Sequence, residues 1–130
     1  MANDPVEALR AYVKAFETLN PEAVVPFYHS PCIFIAPFGV SVAIDATAAY
    51  LTASALIDHA RSQGYRRTEI TQLHKRTLGS NLVSLSGVFV RYGSYDKEIG
   101  RFGFTYIMRE VGVEWRIVVA VASDIHNNMD

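Results

Sequence analysis

The stretch that decides the fold is IGRFGFTYIMREVGVEWRIVVAVAS (residues 99–123), in which two long β-rich runs are separated by a turn at Gly112. Apolar side chains alternate along both runs, as Phe102, Phe104, Tyr106 and Met108 in the first and Trp115, Ile117, Val119 and Val121 in the second. Because successive side chains of a strand point to opposite sides, each row is expected on one face of a sheet. Residues 68–78 and 82–92 are similar runs, and turn sequences rich in Gly and Ser separate them from their neighbours. The second half of the chain therefore predicts a four-stranded antiparallel meander.

Helical signals occupy the first half. Asp4 and Pro5 suit the cap and first position of a helix, which Val6, Leu9, Val13 and Phe16 continue at helical spacing. PEAVVPFYH (residues 21–29) predicts a second, short helix, because its internal proline removes a backbone donor and the next proline ends it. Residues 46–63 predict a third helix, with Asp45 as its cap and Gly64 as its stop.

Two short β-rich segments lie between the second and third helices. Residues 32–36 and 40–43 are expected to pair across the turn at residues 37–39. Helices that precede strands indicate an α+β domain, here a curled antiparallel sheet wrapped around three helices of the N-terminal half. Gly87, Gly100 and Gly103 lie inside strands, where they suit the kinks that curl a sheet. We expect residues 1–130 to form one domain with a concave space between sheet and helices.

Composition limits the function classes. The 130 residues carry a formal net charge of −1 with cations spread along the chain, which argues against nucleic acid and anionic membranes as partners. No stretch approaches the roughly 20 apolar residues of a membrane-spanning helix, and the start lacks a signal-peptide pattern. A single cysteine cannot close an internal disulfide. We therefore expect a cytoplasmic protein.

The order of elements, with Y-V-x-A-F at 12–16, F-Y at 27–28 and E-W-R-I-V at 114–118, resembles the nuclear transport factor 2-like superfamily. The resemblance covers nearly the whole chain. The sequence is similar to an uncharacterised branch of SnoaL-like and ketosteroid-isomerase-like proteins. It implies a cone-shaped α+β fold of the cystatin-like kind, usually dimeric, with an apolar pocket between helices and sheet. It supports a fold more than a function.

Comparison with ketosteroid isomerase tests one reaction. Tyr12 falls where that family carries its first-helix tyrosine, but Ala36 occupies the expected position of the carboxylate base. The strand expected to supply a protonated aspartic acid has Phe104, Thr105 and Tyr106 instead. An alanine cannot abstract a proton, so the resemblance argues against ketosteroid isomerisation by that route. Tyr12 is then either a core tyrosine or a polar contact for a ligand.

Other polar residues allow two interpretations each. His29 and Cys32 have the spacing of a metal pair, but no second spaced pair of ligands completes a site, so we predict no metal or other cofactor. Cys32 opens an apolar strand and is expected in the core, with His29 at a helix end or pocket edge. Asp124 and His126 follow the last strand and are either an acid–base pair or solvated. Arg91 and Tyr92 point to opposite sides of their strand, so only one can reach a pocket.

The function predicted is binding of a small hydrophobic or aromatic molecule. Expected contacts are Tyr12, Phe16, Phe27, Cys32, Phe34, Tyr50, Phe104 and Tyr106. If the protein is an enzyme, we expect a cofactor-independent isomerase, cyclase or dehydratase-like activity that uses Tyr12 with His29 or Asp124. Large apolar groups on both faces of the last strands also predict a homodimer through the sheet, and a dimerisation module without a ligand is the alternative.

Overall fold

The computed structural model describes residues 4–124, which form three α-helices and six strands. Two strands lie between the second and third helices, and the other four follow the third helix. The helices are α1 (Pro5–Glu17), α2 (Pro21–Val24) and α3 (Ala46–Ser62). The strands are β1 (Tyr28–Ala36), β2 (Gly39–Ala43), β3 (Arg67–Gly79), β4 (Leu82–Tyr92), β5 (Glu98–Val111) and β6 (Glu114–Ser123). The predicted α+β class is confirmed, and no helix among the described residues is long and apolar enough to cross a membrane.

The predicted helix starts are confirmed by their caps. A carboxylate oxygen of Asp4 accepts a hydrogen bond from the N–H of Val6 at 2.7 Å, and Asp45 accepts one from Ala48 at 2.9 Å. These bonds satisfy backbone donors that the first helical turn leaves without partners.

The second helix is shorter than the sequence predicted. After α2 the chain makes one 3-10 turn (Val25–Phe27), and β1 already begins at Tyr28. Pro26 lies within this turn, where it lacks the N–H that an α-helix needs and tightens the backbone instead. The earlier strand start puts the side chain of Tyr28 into the core, where it is 3 % exposed.

The sheet has the order β2-β1-β6-β5-β4-β3 and is curled but not closed. The predicted hairpin of β1 with β2 and the meander from β3 to β6 are confirmed as antiparallel pairs. The sequence did not predict that β1 pairs in parallel with β6 and so joins the hairpin to the meander. All three helices lie on one face of the sheet, which we call the concave face. The opposite side is the convex face.

A bulge in β6 corrects the predicted side-chain faces. Met108 is opposite Ile117 but Ile107 is opposite Val119, so Val118 is an extra residue on β6. Alternation shifts by one position there, and Ala120 rather than Val119 shares the concave face with Tyr106. The prediction that Trp115, Ile117, Val119 and Val121 form one row was therefore wrong beyond Ile117.

A second irregularity lies beside Gly87. The pairing of β3 with β4 shifts between Thr71 and His74, and Gln72 has a φ of 55°. A Cβ atom at Gly87 would lie 2.8 Å from the carbonyl oxygen of Thr71 and 3.1 Å from the ring of Phe104. Glycine is required here because the backbone of β3 and an aromatic ring approach its own backbone closely.

Candidate functional site

A cavity of about 610 Å³ opens between the helices and the concave face of the sheet. Its walls come from α1, the β1–β2 hairpin, α3 and strands β3 to β6. Small residues on α3 bring this helix close to the sheet, since Ala49, Ala53 and Ala60 are buried there. The volume lies within the range of roughly 300–1,000 Å³ that is typical of small-molecule sites.

Four of the predicted ligand contacts line the cavity: Tyr12, Phe16, Phe34 and Tyr106. Ala36, at the position where the resemblance placed a base, also lines it. The cavity wall there carries only a methyl group.

The other four predicted contacts do not line the cavity. Cys32 is fully buried in the core, and Phe104 is buried against Phe89, which lines the cavity, with ring centroids 4.1 Å apart. Phe27 contacts the edge of Tyr12 from the 3-10 turn, at 5.9 Å between centroids. Tyr50 is 41 % exposed and lies in a separate shallow groove beside α2, because it falls on another side of α3.

The hydroxyl of Tyr12 is already engaged. Its oxygen lies 2.7 Å from that of Tyr28, and both groups are buried. The ring of Tyr12 also contacts the edge of Tyr106 at 6.1 Å. Two hydroxyls that share one hydrogen bond use one of their two protons, so the pair keeps one donor to offer. Tyr12 thus combines the two sequence interpretations, being a core residue that also borders the cavity.

Burial keeps these tyrosines protonated. It raises the pKa of Tyr12 and of Tyr106 well above the usual value near 10, and the nearby positive charge of Arg91 only partly opposes this. Burial also raises the pKa of Tyr28. At neutral pH these hydroxyls can donate and accept hydrogen bonds, but they cannot serve as bases.

Arg91 is the cation in the cavity wall. Its guanidinium carbon lies 5.0 Å from the ring centroid of Phe102, 5.1 Å from that of Tyr65 and 5.3 Å from that of Phe16. Tyr92 points to the convex side, where its ring is 4.1 Å from the guanidinium of Arg67. The sequence left open which of Arg91 and Tyr92 reaches the cavity. In the structure Arg91 lines the cavity and Tyr92 does not.

The predicted acid–base partners of Tyr12 do not line the cavity. His29 is engaged at the surface, where its ring nitrogens lie 3.0 Å from the carbonyl oxygen of Pro31 and 3.0 Å from the guanidinium of Arg109. Asp124 is exposed after the end of β6. His126 lies outside the described residues. The structure therefore brings neither His29 nor Asp124 together with Tyr12 at the cavity.

Cys32 is part of the core, as the sequence predicted. Burial raises the pKa of its thiol to about 12, so very little reactive thiolate is present at neutral pH. Within residues 4–124, no three side chains of the types His, Cys, Asp and Glu come together as metal ligands.

Sequence reasoning missed several residues of the cavity on α3. Leu51, Ala55, Leu56 and His59 line it along the flank of the small-residue face. In the sequence, the available signal was that Leu51 and Leu56 flank the alanine row of the third helix. In the structure they are 66 % and 37 % exposed. Among the described lining residues, the titratable side chains are Tyr12, Tyr106, His59 and Arg91, and none is a carboxylate.

Comparison with known proteins identifies the fold. A family model described as NTF2-like protein (DUF6841) matches residues 4–125. The sequence matches none of the curated proteins with which it was compared.

Solved structures with the same fold are numerous. A protein from Thiobacillus denitrificans, described as a calcium/calmodulin-dependent protein kinase type II association domain, is 17 % identical with a TM-score of 0.76, over 94 % of this chain and 95 % of that one. A protein of unknown function with a cystatin-like fold from Nostoc punctiforme is 10 % identical with a TM-score of 0.76, over 91 % and 86 %. An NTF2-like protein from Cytophaga hutchinsonii is 14 % identical with a TM-score of 0.71, over 92 % and 94 %. At such identities the likeness shows the fold alone.

Proposed function

The chain belongs to an NTF2-like family (DUF6841), and on this premise we propose that it binds a small hydrophobic or aromatic molecule in the cavity between helices and sheet, as one cytoplasmic domain. The observation that carries the proposal is the composition of the cavity wall. Apolar side chains from both layers face about 610 Å³ of space, with few polar groups among them. Apolar walls with a few placed polar groups are the general pattern of small-molecule sites.

Binding without catalysis fits this wall better than a reaction does. A proton-transfer reaction needs a group that takes up a proton near neutral pH within reach of the substrate. The tyrosines are held protonated by burial, and no carboxylate lines the described part of the cavity. The one imidazole in that lining, His59, lies on the exposed flank of α3. An isomerase or cyclase that uses Tyr12 with His29 or Asp124 would require these side chains to move from their present positions.

Binding can be tested with the neutral fluorophore Nile red, which reports an apolar site without needing a charge. Ala55 lines the cavity and Ala11 does not, although both are exposed alanines on long helices. Ala55→Phe should weaken Nile red binding about tenfold or more by filling the cavity, and Ala11→Phe should leave binding unchanged. Equal binding by both variants would place the dye outside the cavity and reject the site.

We also propose that the protein is a homodimer through the convex face. A row of apolar side chains crosses this face from β2 to β5 and consists of Val42, Ile33, Val119 and Ile107. Val42 is 54 % exposed in the single chain. A second copy is a natural cover for such a row, because identical apolar patches complement each other around a two-fold axis.

The assembly proposal also provides the alternative function, a dimerisation module whose cavity holds no ligand. A related fold described as an association domain supports assembly as one use of this architecture. Native mass spectrometry of the purified protein measures both properties together. A dimer that retains a small molecule supports both proposals, a dimer that binds neither a co-purified molecule nor Nile red supports the module, and a monomer rejects the dimer.

A further inference from the structure

From the surroundings of Arg91 we infer that the ligand of this cavity is an organic anion, with a carboxylate or similar group at Arg91 and an apolar body along the rest of the wall. This inference rests on the proposed binding function and adds the chemical class of the ligand. It follows from the contacts that Arg91 makes and from those it lacks.

The first observation is that Arg91 has no anionic partner. Within residues 4–124 it takes part in no ion pair, and its Nε atom is buried without a hydrogen-bond partner. By contrast, the exposed Arg101 donates to both carboxylate oxygens of Glu98 at 2.7 and 2.8 Å. A half-buried guanidinium without such a partner is costly to keep, so its unused donors are suited to an incoming anion.

The carboxylate of Glu17 binds other groups and forms no ion pair with Arg91. Thr68, which is opposite Arg91 in the sheet, donates its backbone N–H to Glu17 at 3.0 Å. Glu17 also lies 3.9 Å from the ammonium of Lys14. The hydroxyl of Thr68 is engaged with that of Tyr65 at 2.6 Å. The chain itself therefore leaves the guanidinium without an acceptor.

Three aromatic rings hold the guanidinium in place. Phe16, Tyr65 and Phe102 surround its carbon at 5.0–5.3 Å, in the range of cation–π contacts. Such contacts orient a guanidinium and leave its N–H groups free, and the planar fork of N–H donors matches a carboxylate with two parallel hydrogen bonds. The rings thus present the cation to the cavity and do not neutralise it.

The remainder of the cavity fits an apolar body attached to that anion. Phe34, Leu51, Ala55 and Ala120 line the same space as Arg91. Phe38, at 91 % exposure, lines it beside the β1–β2 turn. A molecule with one charged end and an extended apolar part would place each end against a wall of matching chemistry.

The test compares three ligands that share a ten-carbon chain: decanoate, 1-decanol and decylammonium, each titrated calorimetrically into the full-length protein at one pH and ionic strength. We expect decanoate to bind at least about tenfold more tightly than 1-decanol, because a hydrogen bond to a charged group exceeds a neutral one, and decylammonium to bind most weakly. Binding of 1-decanol as tight as that of decanoate would overturn the anion inference and leave the apolar site standing. If no ligand binds and Nile red does not bind either, the proposed function fails together with the inference.

Variants then assign the effect to Arg91. Arg91→Met should lose about tenfold or more in decanoate affinity while 1-decanol stays within about twofold, since only the charged contact is removed. Arg101→Met makes the same charge change on the convex side of the neighbouring strand and should alter neither affinity. Unchanged decanoate binding by Arg91→Met would overturn the inference, and the comparison of ligands on the unsubstituted protein decides the question if that variant does not fold.

Discussion

The phenolic oxygens of Tyr12 and Tyr28 lie 2.7 Å apart in the core between α1 and β1. This bond ties the helix to the first strand of the β1–β2 hairpin, and it is made by the tyrosine that the sequence singled out as a ligand contact. Its partner could not be inferred, because Tyr28 was predicted to lie in a helix. A buried hydroxyl pair is stable only while both members are present.

The two hydroxyls of this pair should be energetically coupled, so that the two single losses in the free energy of unfolding add up to more than the loss in the double variant. Tyr12→Phe and Tyr28→Phe should each lower the free energy of unfolding by about 1–3 kcal/mol, because the remaining hydroxyl stays buried without its partner. The double variant should lose less than the sum of the two single losses. Urea denaturation of the four proteins gives the cycle, and Tyr95→Phe, at a fully exposed tyrosine, is the control with little change. Additive losses would show that the two hydroxyls are not coupled.

Local signals in the sequence predicted most of the fold. Caps at Asp4 and Asp45 and the turn glycines depend on neighbouring residues alone, and the boundaries of β4 agree with the predicted run 82–92. The parallel pairing of β1 with β6 depends instead on contacts between residues about 85 positions apart, such as Phe34 and Ala120, for which the sequence carries no local signal.

The candidate site was predicted less completely for the same reason. A strict period of two cannot anticipate the extra residue at Val118, which turns Ala120 toward the cavity and Val119 away from it. Phe104 and Tyr106 share a face, yet only Tyr106 lines the cavity, since Phe89 packs over Phe104. Which residue of a correct face reaches an open space depends on its neighbours on other strands.

Gly87 should be intolerant of a side chain. Gly87→Ala would put a Cβ atom 2.8 Å from the carbonyl oxygen of Thr71, against backbone that cannot yield cheaply. We expect a loss of about 1–3 kcal/mol in the free energy of unfolding. Gly100→Ala is the matched control on the next strand, because a Cβ atom there meets nothing within 4 Å, and its effect should stay within about 0.5 kcal/mol. Equal stability of the two variants would contradict the close approach at Gly87.

Stability should fall at alkaline pH. Burial raises the pKa values of Tyr12, Tyr28, Tyr106 and Cys32, so the folded protein holds protons that the unfolded chain releases. The resulting stability is complete below the unfolded pKa values, near 9 for the thiol and 10 for the phenols, and is lost as pH rises through the folded values. Urea midpoints measured from about pH 7 to about pH 11 should decrease above about pH 9. A constant midpoint would mean that these groups titrate normally in the folded state.

Cys32 should be unreactive in the folded protein. A pKa raised from 9 to about 12 lowers the thiolate fraction near neutral pH, and full burial blocks access as well. Iodoacetamide should therefore modify the native thiol roughly 1000-fold more slowly than the urea-denatured one, as each pKa unit is a factor of ten in thiolate. A Ser80→Cys variant adds a thiol in an exposed turn and should be labelled once, rapidly. Fast labelling of Cys32 in the native protein would contradict its burial.

The convex face should lose its capacity for self-association when one charge is added. Val119 lies in the middle of an apolar row between Ile33 and Ile107, so Val119→Asp would bury a carboxylate in the proposed dimer interface without facing the cavity. Sedimentation velocity should show a dimer for the unsubstituted protein and a monomer for the variant, because an unpaired buried charge costs several kcal/mol. Leu78→Asp adds the same charge at an exposed leucine outside this row and should remain dimeric. A Val119→Asp protein that remains dimeric would move the interface away from this face, while its retained binding of Nile red would show that the cavity does not depend on assembly.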